Sequence, residues 1–203
     1  MKTMPFTSPV RPLLFIDMDG VVNSLSPYLE KNCWWYRKDI TPEEFMNGMR
    51  SEYRNGHHVF LRLPVVQEMK SVLDEVPSGV DKMFLTSLSK KYERDIRSNM
   101  LTDKYVWADK HFPKIPVLVV RKRSEKLKYG VRKVKLYDGV GYIYTGTIMR
   151  NVLIDDMENT IEGWNSKGGI GILHTSVDQT AKALSEINWN ECLNYDIFLE
   201  YCK

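Results

Sequence analysis

The sequence predicts an α/β fold in which a parallel sheet of five strands is flanked by helices. Short apolar segments of strand length alternate along the chain with segments whose apolar residues recur at helical spacing. This alternation is the order of β/α units in a parallel sheet. Most of the apolar segments also end in acidic or small polar residues. Because binding sites in such sheets lie at the carboxyl ends of the strands, these residues are candidates for a functional site.

The first predicted strand, Leu13 to Asp17, leads into the most informative pattern of the chain, LLFIDMDG. Side chains alternate along a strand, so Asp17 and Asp19 point the same way where the strand continues, and Gly20 lets the backbone turn beside them. Two carboxylates this close repel each other unless a cation or a shared proton relieves the repulsion. The pattern favours a divalent metal site, an acid/base role, or both, although an ordinary strand that ends in a polar loop explains it equally well.

Length and composition suit one domain with an insert, since the chain has 203 residues and 43% hydrophobic content. The formal charge of +3 is too small to indicate a nucleic-acid-binding protein by itself. No apolar stretch approaches the ~20 residues that cross a bilayer. The cysteines form neither a CxxC pair nor an even set, which fits a reducing compartment. We therefore expect a cytoplasmic protein that does not bind a membrane. The three cysteines are Cys33, Cys192 and Cys202.

Residues 24–62 are predicted to form a small, mainly helical insert, with residues 1–23 and 63–203 making the α/β core. The insert has no strong strand pattern. Thr41 and Glu44 have the spacing of a capping box, with a proline at the first helical position, so a helix is predicted from there to about Tyr53. The insert also contains adjacent aromatic residues: Trp34, Trp35 and Tyr36.

Beyond the insert, helices and strands alternate. A helix is predicted between Pro64 and Val76 from apolar residues at helical spacing. A second helix, through Tyr92 and Ile96, has Ser87 or Ser89 as its predicted N-cap. Further helices are predicted at Glu158 to Ser166 and from Ser176 through Leu184, and the aromatic tail from Cys192 is predicted to be amphipathic and to pack on the sheet. The later predicted strands are Lys82 to Ser87, Ile115 to Val120, Asn151 to Asp156 and Gly169 to His174.

A basic run follows the third predicted strand and continues into a predicted β-hairpin. The hairpin spans Val134 to Tyr144 and turns at Asp138-Gly139, a strong two-residue turn signal. A solvated, charged hairpin face is the simplest interpretation of the run. Its basic residues are Arg121, Lys122, Arg123, Lys126, Lys128, Arg132, Lys133 and Lys135, with Glu125 as the only acid among them.

Together these features resemble the haloacid dehalogenase-like (HAD) superfamily of aspartate-nucleophile phosphotransferases. The resemblance covers most of the chain. It rests on the DxDG motif, a strand that ends in Thr86-Ser87, a lysine near the start of a later helix, and the final pair Asp155-Asp156. It implies a Rossmann-like core, with the insert as the small cap that these enzymes carry after the first strand. The β-hairpin, predicted from its own turn signal, is inserted before the fourth strand and makes the distance between the lysine and Asp155 unusual.

By this resemblance, Asp17 is the nucleophile that forms an aspartyl-phosphate, and Asp19 is the general acid/base. Thr86 donates its hydroxyl to a phosphoryl oxygen, helped by backbone N–H groups around Ser87. Gly20 is also assigned to substrate binding. The acid at Asp19 favours a phosphatase or phosphomutase, because the dehalogenases and cation-pumping ATPases of the superfamily lack it.

The resemblance also implies a Mg²⁺ site and a cationic phosphate ligand. Mg²⁺ would be held by Asp17, the backbone carbonyl of Asp19, and Asp155 and Asp156 jointly, without a decision as to which of the pair ligates directly. Lys126 is chosen as the cation because it lies two residues after a possible helix cap, Ser124. Lys128 is its main rival, and a solvated charge is the simple alternative for either lysine.

Within the superfamily, the chain looks most like the small 5'(3')-deoxyribonucleotidases. The supporting residues are 84–87, 152–156 and the aromatic residues of the insert. This likeness implies a (deoxy)nucleoside monophosphate as substrate, with Trp34 and Trp35 offering faces on which a base stacks. Such aromatic residues also serve as packing in a small insert. His57 and His58 lack the spacing of a zinc site and are interpreted as surface or hinge residues.

Two other functions stay open. One is a phosphatase that acts on nucleic-acid ends, with residues 121–135 tracking the phosphate backbone. The other is a non-catalytic protein that binds phosphate or nucleotides on the same fold, against which the presence of both Asp17 and Asp19 argues. The oligomeric state is not indicated by the sequence.

Overall fold

The structure, a computed structural model, describes residues 11–137, 142–190 and 193–194, with only the backbone described at 133–137, 142–148 and 193–194. Its helices are α1 (Leu25–Asn32), α2 (Pro42–Arg54), α3 (Gln67–Glu75), α4 (Arg94–His111), α5 (Glu158–Ser166) and α6 (Val177–Ser185), with 3₁₀ helices at Phe60–Arg62 and Arg123–Tyr129. Its strands are β1 (Leu13–Ile16), β2 (Asp81–Ser87), β3 (Val117–Val120), β4 (Val131–Tyr137), β5 (Tyr142–Arg150), β6 (Val152–Asp155), β7 (Ile170–Leu173) and β8 (Leu193–Asn194). Within these described ranges, no helix has both the length and the apolar character needed to span a membrane.

Five strands form one parallel sheet in the order β3-β2-β1-β6-β7. Strand β1 lies at its centre, where Ile16 pairs with Phe84 of β2 and with Ile154 of β6. Helices cover both faces, so the strands read as continuous apolar runs. Leu14 and Ile16 pack on one face and Phe15 on the other, and all three are buried. The Rossmann-like α/β fold expected from the sequence is confirmed.

The start of α4 differs from the prediction. Neither Ser87 nor Ser89 caps this helix, because it begins at Arg94 with Glu93 in the N-cap position. The Ser89 hydroxyl instead accepts a hydrogen bond from the backbone N–H of Lys91. Burial of Leu88 and Tyr92 against the insert explains the difference, since packing of these side chains holds the intervening chain as a loop.

Residues 24–62, which are predicted to form the insert, contain α1, α2 and the first 3₁₀ helix. The predicted capping box is confirmed. The Thr41 hydroxyl accepts from the N–H of Glu44 at 3.2 Å, and the Glu44 carboxylate accepts from the N–H of Thr41 at 3.0 Å. Apolar residues of the insert share one buried cluster with residues of the loop after β2 and of α4: Leu29, Met49, Tyr53, Phe60, Leu88, Tyr92, Ile96 and Met100.

The chain enters and leaves the insert through two adjacent segments. The N–H of Ser24 donates to the carbonyl of Pro64 at 3.0 Å, and the N–H of Val66 donates to the carbonyl of Val22 at 3.0 Å. These hydrogen bonds tie the exit from β1 to the return before α3. The position of the insert over the core is therefore set directly beside the DxDG turn.

The predicted β-hairpin is present as the antiparallel pair β4 and β5, which is longer than predicted. Its expected turn at Asp138-Gly139 lies outside the described residues. The predicted aromatic tail also lies outside them, apart from Leu193–Asn194, which pair with β5. The hairpin joins the second 3₁₀ helix to β6, so it leaves the order of the parallel sheet unchanged.

Candidate active site

Three carboxylates meet where the neighbouring strands β1 and β6 end. Asp17, Asp155 and Asp156 each offer an oxygen, and these oxygens lie within 4.8 Å of one another. Asp155 is fully buried, Asp17 is nearly so, and Asp156 faces solvent. Oxygen donors of this kind suit a hard divalent cation such as Mg²⁺. The cluster could therefore hold a metal ion, as expected from the sequence pattern.

Lys126 lies against two of these carboxylates. Its Nζ is 2.8 Å from Oδ2 of Asp17 and 2.7 Å from Oδ2 of Asp155. Burial by itself would lower the pKa of Lys126, but the two carboxylates outweigh this effect and raise the pKa, so the side chain is charged. Lys128, its rival in the sequence, is exposed. The proposed helix cap is wrong: Lys122, and not Ser124, precedes the 3₁₀ helix that carries Lys126, and no side chain caps it.

Negative charge exceeds positive charge in this cluster. Burial raises the pKa of Asp17, although Lys126 partly opposes the rise. Partial removal from water, followed by the influence of Asp17 and Asp155, raises the pKa of Asp156 to about 7. One lysine thus leaves the three carboxylates only partly neutralised, and a bound divalent cation would relieve the remaining repulsion.

Gly20 closes the turn beside this cluster. Its φ is +85°, and a side chain at this position would place Cβ only 2.2 Å from Oδ2 of Asp156. The N–H of Gly20 donates to the carbonyl of Asn23 at 3.1 Å, which holds the turn closed. Only glycine fits both the backbone conformation and the space next to Asp156.

Asp19 belongs to a second charged group, centred on Lys104 of α4. The Lys104 Nζ donates to Oδ2 of Asp19 at 2.5 Å and to Oγ1 of Thr86 at 3.0 Å. Oδ1 of Asp19 accepts from the side-chain amide of Asn23 at 3.2 Å. The ammonium also lies 4.2 Å from the centre of the Phe60 ring, which belongs to the insert. Lys104 therefore connects the candidate acid/base, the candidate phosphate ligand and the insert.

Sequence reasoning missed Lys104, yet the sequence contains a signal for it. The buried residues of α4 recur at helical spacing: Met100, Asp103, Lys104, Trp107 and Ala108. Two adjacent charged residues thus occupy the apolar stripe of a helix. Charged side chains are almost never fully buried unless they are paired. Adjacent charges at the core positions of a predicted helix are therefore a mark of buried partners.

Asp103 links α4 to the insert. Its carboxylate accepts a hydrogen bond from the Tyr53 hydroxyl at 2.7 Å and lies 2.9 Å from Nδ1 of His58. Burial and the bond to Asp103 raise the pKa of Tyr53, so the phenol stays protonated as a donor. His57 lies 2.8 Å from the Glu52 carboxylate. Within the described residues, neither histidine belongs to a group that could hold a metal.

The two tryptophans lie apart from the carboxylates. Trp34 is 94% exposed, whereas Trp35 packs on Gly48 and donates its ring N–H to Glu52 at 2.8 Å. Both line a cavity of about 440 Å³ on the insert, and none of the acidic cluster is among its described lining residues. Ser87 is partly buried at the end of β2, next to Thr86.

A scan against protein-family models and a search of curated proteins found no match. Solved structures that the chain matches include a D,D-heptose 1,7-bisphosphate phosphatase from Burkholderia thailandensis, with 9% identity over 87% of this chain and 100% of that chain and a TM-score of 0.45. They also include a hydrolase from Streptococcus pneumoniae TIGR4, with 14% identity over 86% and 98% and a TM-score of 0.49. A third is a HAD-superfamily hydrolase, subfamily IA, from Geobacter sulfurreducens PCA, with 11% identity over 80% and 86% and a TM-score of 0.43. Similarity at this level assigns the chain no activity and no substrate.

The candidate site is therefore defined by its own geometry. One edge of the parallel sheet brings together a carboxylate cluster with a buried lysine, Lys126, and a second buried lysine, Lys104, that holds Asp19 and Thr86. Buried charges of both signs are costly to maintain unless they are paired, and such groups concentrate at functional sites.

Proposed function

We propose that this chain is a Mg²⁺-dependent phosphomonoester hydrolase of the HAD type that acts through an aspartyl-phosphate. The observation that carries the proposal is the position of Asp17, which belongs to a possible metal cluster and pairs with the ammonium of Lys126 at 2.8 Å. A phosphomonoester resists nucleophilic attack because its oxygens are negative, so cations and donors must surround it before a carboxylate can approach. Lys126, from the 3₁₀ helix after β3, supplies a cation, and the carboxylates after β1 and β6 can hold another. Thr86, at the end of β2, supplies a donor.

Asp17, Asp155 and Asp156, with the backbone carbonyl of Asp19, would hold the metal. When bound, Mg²⁺ neutralises charge on the phosphoryl oxygens and orients the group for attack. The donor set fits this ion, since carboxylate and carbonyl oxygens are its preferred protein ligands. Lys126 supplies a cationic charge next to these carboxylates.

In the first half-reaction, a carboxylate oxygen of Asp17 attacks phosphorus and the bond from phosphorus to the ester oxygen breaks. Thr86 and backbone N–H groups near Ser87 donate to the phosphoryl oxygens. The leaving alkoxide takes a proton from the carboxylic acid of Asp19. The alcohol product leaves, and the phosphoryl group stays on Asp17.

In the second half-reaction, a water molecule attacks phosphorus and loses a proton to the Asp19 carboxylate. The bond between phosphorus and the Asp17 oxygen breaks, which releases inorganic phosphate and restores both side chains. Lys104 and Asn23 bind the two oxygens of Asp19, so they orient its carboxyl group for both proton transfers. We regard Lys104 as a positioning residue for this step.

The substrate class that we propose is a (deoxy)nucleoside monophosphate, with residues 24–62 acting as a cap over the core. Trp34 is the residue that we assign to base stacking, because its ring is exposed on the insert, although the cavity that it lines contains none of the described acidic cluster. Trp34→Ala should raise KM for nucleotides and leave hydrolysis of p-nitrophenyl phosphate nearly unchanged. Trp35→Ala should instead lower stability, because that ring packs on Gly48. Equal losses of Trp34→Ala on both substrates would contradict base stacking.

Phosphate release from p-nitrophenyl phosphate, with and without Mg²⁺, tests the reaction itself. Asp17→Asn should abolish the release, and the exposed Asp109→Asn should leave it unchanged as a control for the same chemical substitution elsewhere. Activity that survives in Asp17→Asn would overturn the assignment of the nucleophile. A wild-type protein that hydrolyses no phosphoester would instead favour a phosphate-binding or nucleotide-binding protein.

A further inference from the structure

A group of exposed basic residues adjoins the candidate site, and we call it the basic rim. Its members take no part in any ion pair among the described residues, in contrast to exposed arginines of the insert such as Arg37 and Arg54, which pair with Glu44 and Glu93. The rim is thus a patch of positive side chains that form no direct ion pair among the described residues, although Arg123 is close enough to Asp156 to oppose the rise in the pKa of that carboxyl. Its residues are Lys90, Lys91, Arg121, Lys122 and Arg123.

The topology of the sheet places the rim at the same edge as the carboxylates. Strands β2 and β3 are parallel neighbours that end together, with Ser87 opposite Val120. The N–H of Leu88 donates to the carbonyl of Val120 at 2.9 Å, so the two segments stay together as they leave the sheet. The rim residues follow within a few positions of these strand ends.

Arg123 is also close to the catalytic lysine along its own helix. It begins the 3₁₀ helix that carries Lys126. Residues three apart in such a helix lie on the same side, about 6 Å from each other along the axis. Lys126 contacts Asp17 from this helix, so the rim begins about one turn away from the lysine that pairs with the candidate nucleophile.

The insert meets the core at the other part of the rim. Arg50 of α2 donates to the backbone carbonyl of Lys91 at 2.9 Å and pairs with Glu93. The side chain of Lys91 remains exposed beside this junction. The rim therefore lies where the insert, the loop after β2 and the loop after β3 come together.

A single phosphate group does not account for this charge. Lys126, Thr86 and a metal ion would already surround the phosphoryl group that is removed. Like charges that gather on a surface repel one another, and they attract anions to the same place. Positive side chains at the edge of the reaction centre are placed to bind further phosphate groups of the same substrate.

We propose that the basic rim binds additional phosphates of the substrate, so that the site dephosphorylates nucleotides carrying further phosphate groups, including the ends of single-stranded nucleic acid. This inference rests on the proposed function, since it extends the substrate of that same site. A nucleoside bisphosphate and a phosphorylated oligonucleotide share the chemistry, and the experiment separates them.

The experiment measures kcat/KM on p-nitrophenyl phosphate, a deoxynucleoside 5'-monophosphate, a deoxynucleoside 3',5'-bisphosphate and a 5'-phosphorylated oligonucleotide. The rim is altered in two variants, Arg121→Ser/Lys122→Ser and Lys90→Ser/Lys91→Ser. The matched control is Lys110→Ser/Lys114→Ser, which removes the same charge. Its two lysines are exposed and lie between the end of α4 and the start of β3, at the opposite edge of the sheet.

We expect each rim variant to lose about tenfold in kcat/KM on the oligonucleotide, while p-nitrophenyl phosphate changes by less than about twofold. The control should behave as the wild type does. Each phosphate contact to a single strand contributes about 0.7 to the slope of log affinity against log salt. Three contacts therefore predict a loss of about 20-fold between ~50 and ~200 mM salt, against about threefold for one contact.

A higher kcat/KM on both the bisphosphate and the oligonucleotide than on the monophosphate would show that one additional phosphate is enough for binding to the rim. A higher kcat/KM on the oligonucleotide alone would show that binding to the rim needs several phosphates. Both results would support the proposal that the rim binds additional phosphates. Equal salt dependence of the mononucleotide and the oligonucleotide, or rim variants that match the control, would overturn it. If the wild-type protein does not hydrolyse p-nitrophenyl phosphate, that separate result would overturn the proposed function instead.

Discussion

Replacing Gly20 by alanine tests how closely the acidic cluster depends on the DxDG turn. Gly20 has a φ of +85°, a conformation that costs an L-residue about 1 to 2 kcal/mol. The new Cβ would also lie 2.2 Å from Oδ2 of Asp156 and 2.9 Å from its Cγ. Ordinary contact distances are about 3.5 Å, so the Asp156 carboxylate must move by about 1 Å.

Gly56 provides a matched control, because its φ is +74° and a Cβ there would meet nothing within 4 Å. Gly20→Ala and Gly56→Ala should therefore share the backbone cost and differ in the steric clash. We expect both variants to lose about 1 to 2 kcal/mol of stability, which lowers Tm by about 2 to 8 °C in a chain of this size. Only Gly20→Ala should also lose activity, by about 100-fold, because a displacement of about 1 Å at a reacting centre has an effect of that order.

The two quantities are measured separately. Thermal unfolding of the metal-free variants reports the backbone cost, and kcat/KM on p-nitrophenyl phosphate as a function of Mg²⁺ concentration reports the displaced carboxylate. Gly20→Ala should need more Mg²⁺ for half-maximal activity than Gly56→Ala. If the two variants retain the same activity and the same Mg²⁺ requirement, the argument that Gly20 leaves room for a metal-binding Asp156 is wrong.

Three further predictions follow from the buried charges. Lys104→Met should lower kcat on p-nitrophenyl phosphate by about 100-fold with little change in KM, because general acid/base catalysis loses the donor that orients Asp19; an unchanged kcat in a folded variant would refute the positioning role. Mg²⁺ should raise Tm more at about pH 8 than at about pH 6. The pKa of Asp156 is raised to about 7 in the metal-free protein, so below that pH the carboxyl holds a proton that the ion must displace; equal shifts at both pH values would contradict this competition. Tyr53→Phe should cost about 1 to 3 kcal/mol of stability, measured by denaturant unfolding, since buried Asp103 loses a donor, and a variant as stable as the wild type would show that water replaces the phenol.

The local patterns of the sequence predicted the fold well because they depend on neighbours in the chain. The apolar run before Asp17 predicted the central strand, and the spacing of Thr41 and Glu44 predicted the start of α2. The same reasoning failed at Ser87 and Ser89, where a suitable capping residue was present but no helix began. The start of α4 was decided by the packing of Leu88 and Tyr92 against residues distant in the chain, and a local capping signal contains no information about such packing.

The candidate site was also predicted in part by the sequence and decided in part by the fold. Sequence reasoning selected Lys126 over Lys128 by its distance from Ser124, which turned out not to be a cap, and the structure places Lys126 against Asp17 and Asp155 for a different reason. The 3₁₀ helix after β3 directs this side chain inward. The predicted cap therefore pointed to a candidate lysine, while the path of the backbone decided which lysine contacts the carboxylates.

What the sequence by itself determined is the order of strands and helices, the acidic strand ends and the need for glycine after Asp19. Each of these follows from residues within a few positions of one another. Only the tertiary structure decided that Lys104 holds Asp19, because these residues are 85 positions apart and meet only when α4 packs on the sheet. A buried charge is stable only beside its partner, and the fold alone brings the two together.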